Sequence, residues 1–189
     1  MQAEYKLSLP ALGPSEAEPL ARGRLEDALS KLGFIPNMYS VMANSPGLLD
    51  TYIHAYNRFR ELSGFTAAEQ AVVFLAISRE NGCTYCVGAH SFLADKMSGV
   101  PTDVTDAIRE RTPIPDAKLA ALHDFARTLV LKRGLPDKAD VAAFLAAGYS
   151  ERQILEIVLA IAVKTLSNYA NHLFHTPLDD VFTERAWAD

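Results

Sequence analysis

Phe65-Thr66-Ala67-Ala68-Glu69-Gln70-Ala71-Val72-Val73-Phe74-Leu75-Ala76-Ile77-Ser78-Arg79-Glu80-Asn81-Gly82-Cys83-Thr84-Tyr85-Cys86-Val87-Gly88-Ala89-His90 is the stretch from which the rest of the chain is read. Thr66 and Glu69 form a capping box, in which each side chain satisfies a backbone donor of the other, so a helix opens there. Asn81-Gly82 interrupts it, and a second helix is expected to begin near Gly82. At about 100° per residue, Cys83, Cys86 and His90 then share an arc of roughly 60°, with Tyr85 on the opposite side. These are the only two cysteines of the chain. Two thiols three residues apart can close a disulfide across one helical turn. A helix N-terminus favours thiolate over thiol, and by itself it singles out Cys83. A histidine four residues beyond Cys86 can take up its proton.

Three readings of this pair stand side by side: buried apolar cysteines, half of a metal site, or dithiol redox and nucleophilic chemistry. A metal would need two more ligands. The one candidate pair, His172 and His175, has a shorter gap than zinc sites use. Neither a metal nor a cofactor is therefore expected, and the redox reading is preferred.

Outward from this stretch, the pattern is helical throughout. Residues up to about 20, with Pro10, Gly13, Pro14 and Pro19, read as an extended arm, of the kind that frays or lies on a neighbouring subunit. Leu25–Leu32 is a short helix stopped at Gly33, and Asn37–Ala43 is another turn of helix. Over Leu48–Leu62 the apolar residues recur every three to four positions, and His54 falls off that stripe. Beyond the motif, helices are expected over Asp103–Arg111, Asp116–Arg133 and Lys138–Ala147, divided by Gly and Pro. No useful length alternates as a strand does. The fold class is all-α, a compact orthogonal helical array in one domain.

The second half echoes the first at an offset of 84. Ser150 and Gln153 repeat the capping box, Leu159-Ala160-Ile161 repeats Leu75-Ala76-Ile77, and Tyr169 falls where Tyr85 does. Cys83 and Cys86 meet Ser167 and Ala170. The chain reads as an internal duplication, with an active half over about 21–100 and a degenerate half over about 101–189 that keeps the helices and lacks the redox pair. Lys164, Asn168, His172 and His175 lie roughly along one face after an apolar segment. They are either the exposed end of a helix or a polar wall of the active-site pocket.

The chain has 189 residues, 49% apolar and 22% charged, with a net charge of −5. That balance favours neither nucleic acid nor an anionic membrane surface. Met1 to Glu18 has no apolar core of a signal peptide, and Ile154–Val163, interrupted by Glu156, is too short to span a bilayer. A reactive-looking pair without a larger disulfide framework suits a reducing compartment, so a cytoplasmic protein is expected.

The quoted run resembles the signature of the AhpD-like alkylhydroperoxidase and carboxymuconolactone decarboxylase family. Gly33-Phe34-Ile35-Pro36-Asn37 and Ser45-Pro46 resemble its N-terminal part. The resemblance implies an all-helical fold, homo-oligomers (dimer, trimer or hexamer) and peroxide reduction by the Cys-x-x-Cys pair. It implies that Cys86 attacks the peroxide, that Cys83 resolves the product, and that an external dithiol, protein or lipoyl-type, restores the pair. Decarboxylase members lack paired cysteines. The chain departs from the peroxidase pattern twice: Tyr85 stands where those members have a histidine, and Ala71 where they have a glutamate. Glu80, Glu69, Glu156 and His172 are the candidates to complete a proton relay with His90, although capping alone accounts for Glu69. The expected function is a thiol-dependent peroxide reductase. The alternatives are a decarboxylase or isomerase of the lactone type with His90 as base, and a non-enzymatic redox sensor.

Overall fold

The run Ala71–Ile77 has no polar side, and a helix that is apolar all round must be enclosed by others. The computed structural model, which describes residues 3–188, builds the molecule around that helix. Among the described residues nine α-helices follow in chain order: α1 (Pro19–Leu32), α2 (Asn37–Met42), α3 (Pro46–Leu62), α4 (Ala67–Glu80), α5 (Thr84–Met97), α6 (Thr102–Glu110), α7 (Ala117–Leu131), α8 (Lys138–Ala146) and α9 (Glu151–Phe174). A 3-10 helix, Asp180–Arg185, closes the chain, and there is no strand among the described residues. Every residue of α4 from Glu69 to Arg79 is buried. It is packed by α5, α6, α7 and α9, while α3 lies against α1 and α9, and α8 against α7. The all-α expectation holds.

Caps set the boundaries. Thr66 Oγ1 accepts from the Glu69 amide and Glu69 Oε2 from the Thr66 amide, and Ser150 and Gln153 repeat this at α9. Asp137 and Asp140 form a third such box at α8. The α1 helix starts at Pro19, a turn and a half before its expected beginning, because Pro suits the first helical position. The arm does not lie free. The Leu7 amide donates to the Leu173 carbonyl and the Leu12 amide to the Ser40 carbonyl, so the arm runs along its own chain. Met1 and Gln2 of that arm lie outside the described residues.

One feature of the echo differs from expectation. Gly82 divides the run after Ala67 with a φ of 65°, a left-handed conformation that glycine adopts without a Cβ clash. At an offset of 84 stands Leu166, which has no such freedom. The chain there runs on as one 24-residue helix, α9.

Candidate active site

The break between α4 and α5 shapes the site. The Cys83 amide donates to the Ser78 carbonyl and the Gly82 amide to the Arg79 carbonyl. This is the Schellman arrangement, with Gly82 as its left-handed residue. Cys83 thus ends one helix and caps the next. Its backbone is extended, and its Sγ accepts from the Cys86 amide at 3.4 Å. The expected helix start near Gly82 moves by two residues, which puts Cys83 at the cap and Cys86 at the third helical position. Both thiols are free and buried.

Donors converge on Cys86. The Asn171 side-chain amide lies 3.3 Å from Cys86 Sγ and 3.9 Å from Cys83 Sγ. Asn168 accepts from the Asn81 side-chain amide at 2.8 Å, and its own Nδ2 finds no nitrogen or oxygen partner. Lys164 is fully buried in the same wall. Burial opposes ionisation of Cys86. The Cys83 thiol, the Lys164 charge and the amides of Asn171 and Asn168 outweigh it and bring Cys86 down to about 6. Cys83 moves the other way, raised by burial and by the hydrogen bond and charge of its neighbour Cys86. The helix N-terminus alone would favour Cys83. Tertiary neighbours reverse that order, because they gather around the second sulfur.

His90 lines the same cavity but faces Lys164, with 2.8 Å between Nε2 and Nζ. Its ring packs on Phe74 at 5.2 Å. Burial, then the charges of Lys164 and Arg60, push its pKa well below the ordinary value, so the ring is neutral. An ammonium has no lone pair; where Lys164 is charged it donates to Nε2, and the ring proton sits on Nδ1.

The four relay candidates have other partners. Glu69 caps α4, pairs with Lys118 at 2.9 Å and accepts from Tyr149. The Glu80 side chain is enclosed between Arg127 at 3.0 Å and Arg111 at 3.5 Å. Glu156 pairs with Arg152 at 3.7 Å, one turn before it on α9. His172 is half-buried and its ring stacks on Tyr169; its backbone carbonyl accepts the Ala3 amide, and its Nε2 finds no hydrogen-bond partner among the described residues. His175, the other half of the conceivable metal pair, bonds the Ala3 carbonyl through Nε2. Of the polar face on α9, then, Lys164 and Asn168 form the wall of the site, and the two histidines hold the arm. Asn171 was not singled out in the sequence. Its signal was there: Lys164, Asn168 and Asn171 stand at i, i+4 and i+7 on one face of the helix, with Ser167 the other buried polar residue beside them.

The cavity beside Cys86 measures about 490 Å³. Eight of its 22 lining residues are Phe or Tyr, and the lining includes Ala71, the position without a glutamate. Tyr85, in place of a histidine, turns its hydroxyl to Asp179, which also accepts from the Asn37 amide. Val181 and Phe182 of the 3-10 helix form part of the wall. That helix is tied down by Arg185 to Asp95 and Asp106, and by Arg109 to the carbonyls of residues 185 and 186.

Comparison with known proteins places this geometry among others of the same architecture. No protein-family model and no curated protein matches the chain. Solved structures do. An uncharacterized peroxidase-related protein from Ralstonia eutropha JMP134 with the alkylhydroperoxidase AhpD core is 24% identical, over 92% of this chain and 93% of that one, with a TM-score of 0.80. An uncharacterized peroxidase-related protein from Silicibacter sp. TM1040 is 22% identical over 96% and 95%, with a TM-score of 0.77. The debrominase Bmp8, in a cysteine-to-alanine variant bound to 2,3,4-tribromopyrrole, is 18% identical over 95% and 96%, at 0.76. At these identities the agreement is one of backbone, and it extends over nearly the whole chain: the protein has the all-α AhpD-like fold.

Proposed function

We propose that the chain is a thiol-dependent peroxide reductase with Cys86 as the attacking sulfur. The convergence of Asn171, Asn168 and Lys164 on Cys86, rather than on Cys83, carries this reading. The peroxidase-related proteins of the same fold support it. The Cys86 thiolate attacks the outer peroxide oxygen and the O–O bond breaks. Cys86 becomes a sulfenic acid, and the departing alkoxide takes a proton from the Lys164–His90 pair to leave as an alcohol. The Cys83 thiol then attacks the sulfenic sulfur, forming the disulfide and releasing water. An external dithiol reduces the disulfide. Lys164 has the part that a relay carboxylate would otherwise serve: it keeps Cys86 ionised by its own charge, and His90 holds its ammonium in position.

A base-catalysed reaction on a lactone would leave the low-titrating sulfur without a task. A redox sensor would leave the cavity without one. The test is peroxide consumption with dihydrolipoamide as reductant. Cys86→Ser should abolish it. Cys83→Ser should accumulate one sulfenic acid per chain, trapped by dimedone, and fail to cycle. Turnover retained in both variants would remove the assignment.

A further inference from the structure

We infer that the cavity takes an organic substrate with an apolar, ring-sized body and a carboxylate, and that Arg60 binds the carboxylate. This rests on the reading of Cys86 as the reacting sulfur and names the class of molecule presented to it. Hydrogen peroxide would need no such space. A volume of about 490 Å³ is that of a pocket for a small organic ligand. Its walls include Tyr56 stacked on Phe74 at 5.2 Å, and Tyr52 tilted against Tyr56 at 6.0 Å.

The charge of the lining is one-sided. The chain holds 23 acidic residues and a net charge of −5, yet none of the 22 lining residues is Asp or Glu, while Lys31, Arg60 and Lys164 are all present. Two of these cations are occupied. Lys164 is bonded to His90 and serves Cys86. Lys31 is exposed at the mouth, 3.9 Å from Asp27. Arg60 differs. Its guanidinium lies over the Tyr56 ring at 6.0 Å and has no carboxylate partner among the described residues. Its charge reaches inward far enough to act on His90. A half-buried guanidinium facing an apolar cavity is an incomplete ion pair, and an anion in the cavity completes it.

Neutral donors line the same cavity. The hydroxyls of Tyr39, Tyr52 and Tyr56 make no hydrogen bond within the described chain, and all three residues line the cavity. Burial raises each of these phenols, so all remain protonated donors. A carboxylate accepts from such groups and from Arg60 together. An amide of the same shape satisfies them less well, and a hydrocarbon leaves them unsatisfied.

The probes are para-isopropylbenzoate and para-isopropylbenzamide for binding, by calorimetry on the reduced protein. For reaction they are cumene hydroperoxide and its para-carboxy analogue. The benzoate should bind more tightly than the benzamide. Arg60→Gln should weaken the benzoate about tenfold or more and leave the benzamide unchanged. The same substitution should erase the preference of kcat/KM for the carboxylated hydroperoxide. Arg60 anchors no other element through its side chain, so the variant is expected to fold, as a thermal melt would verify. Equal binding of benzoate and benzamide, or equal loss of both in Arg60→Gln, would overturn the proposal. Arg60-dependent benzoate binding in a chain that consumes neither hydroperoxide would uphold the anion site and overturn the peroxidase reading instead.

Discussion

Replacing Lys164 by Met removes a buried charge and keeps an unbranched chain of similar length. His90 loses its partner and Cys86 a nearby charge, so the variant is expected to fold with reduced stability, which a thermal melt would check. The sulfur should titrate higher. Cys86 titrates at about 6 although it is fully buried, because the Cys83 thiol, Lys164 and two amides favour its anion. An opposite charge at this kind of range moves a pKa by about 1–3, so Cys86 in the variant is expected to titrate between roughly 7 and 9. At pH 7 the thiolate would fall from about nine-tenths of the population to between a half and a hundredth. Alkylation of Cys86 by iodoacetamide should slow by about twofold to a hundredfold at pH 7 and recover above pH 10. The Cys83→Ser background leaves one thiol to follow. His90 complicates the single variant, since loss of Lys164 relieves the repulsion that, after burial, keeps its ring neutral. A charged imidazole could then stand in for the ammonium, and Lys164→Met combined with His90→Gln closes that route. If the midpoint in both variants stays where Cys83→Ser alone puts it, with cooperative melting intact, Lys164 does not activate the thiol.

Stability of the reduced protein should fall with acid. The folded Cys86 titrates at about 6 against roughly 8.5 unfolded, so its contribution, about 3 kcal/mol, is complete above pH 8.5 and lost as pH drops through 6. His90 adds in the same direction, since its folded pKa is depressed and the unfolded chain binds its proton first. Denaturant titrations at pH 6 and 8.5 should differ in the parent by more than in Cys86→Ala, and parallel curves would refute the linkage. Gly88→Ala puts a Cβ 3.0 Å from Leu178 Cδ2 and 3.4 Å from the Arg185 carbonyl. The C-terminal segment should loosen at a cost of about 1–3 kcal/mol, seen as faster hydrogen exchange over residues 178–186. A homo-oligomer is expected through the exposed apolar side of α9, where Leu155, Val158, Tyr169 and Leu173 project. Leu155→Glu should then lower the mass in solution, and a parent already monomeric at micromolar concentration would count against it.

What the sequence determined by itself was local. The capping boxes at Thr66 and Ser150, the arrest at Gly33 and the break at Gly82 each follow from a few adjacent residues, because helix ends are satisfied by neighbours three to five positions away. Helix faces were legible for the same reason, and with them the shared side of Cys83, Cys86 and His90. The order of the two thiols was not legible. It depends on Lys164, Asn168 and Asn171, which lie about 80 residues further on and reach the sulfurs by the packing of α9 on α4 and α5. A pKa in a buried site is set by the charges and dipoles within a few ångströms, whatever their separation along the chain. Glu80, near in sequence, and Glu69 and Glu156 are drawn to Arg127, Lys118 and Arg152. No acid lines the cavity where Ala71 stands. Packing brings a cation, Lys164, to the cavity instead, and on the proposed reading its charge, coming from elsewhere in the fold, keeps the Cys86 thiolate ionised.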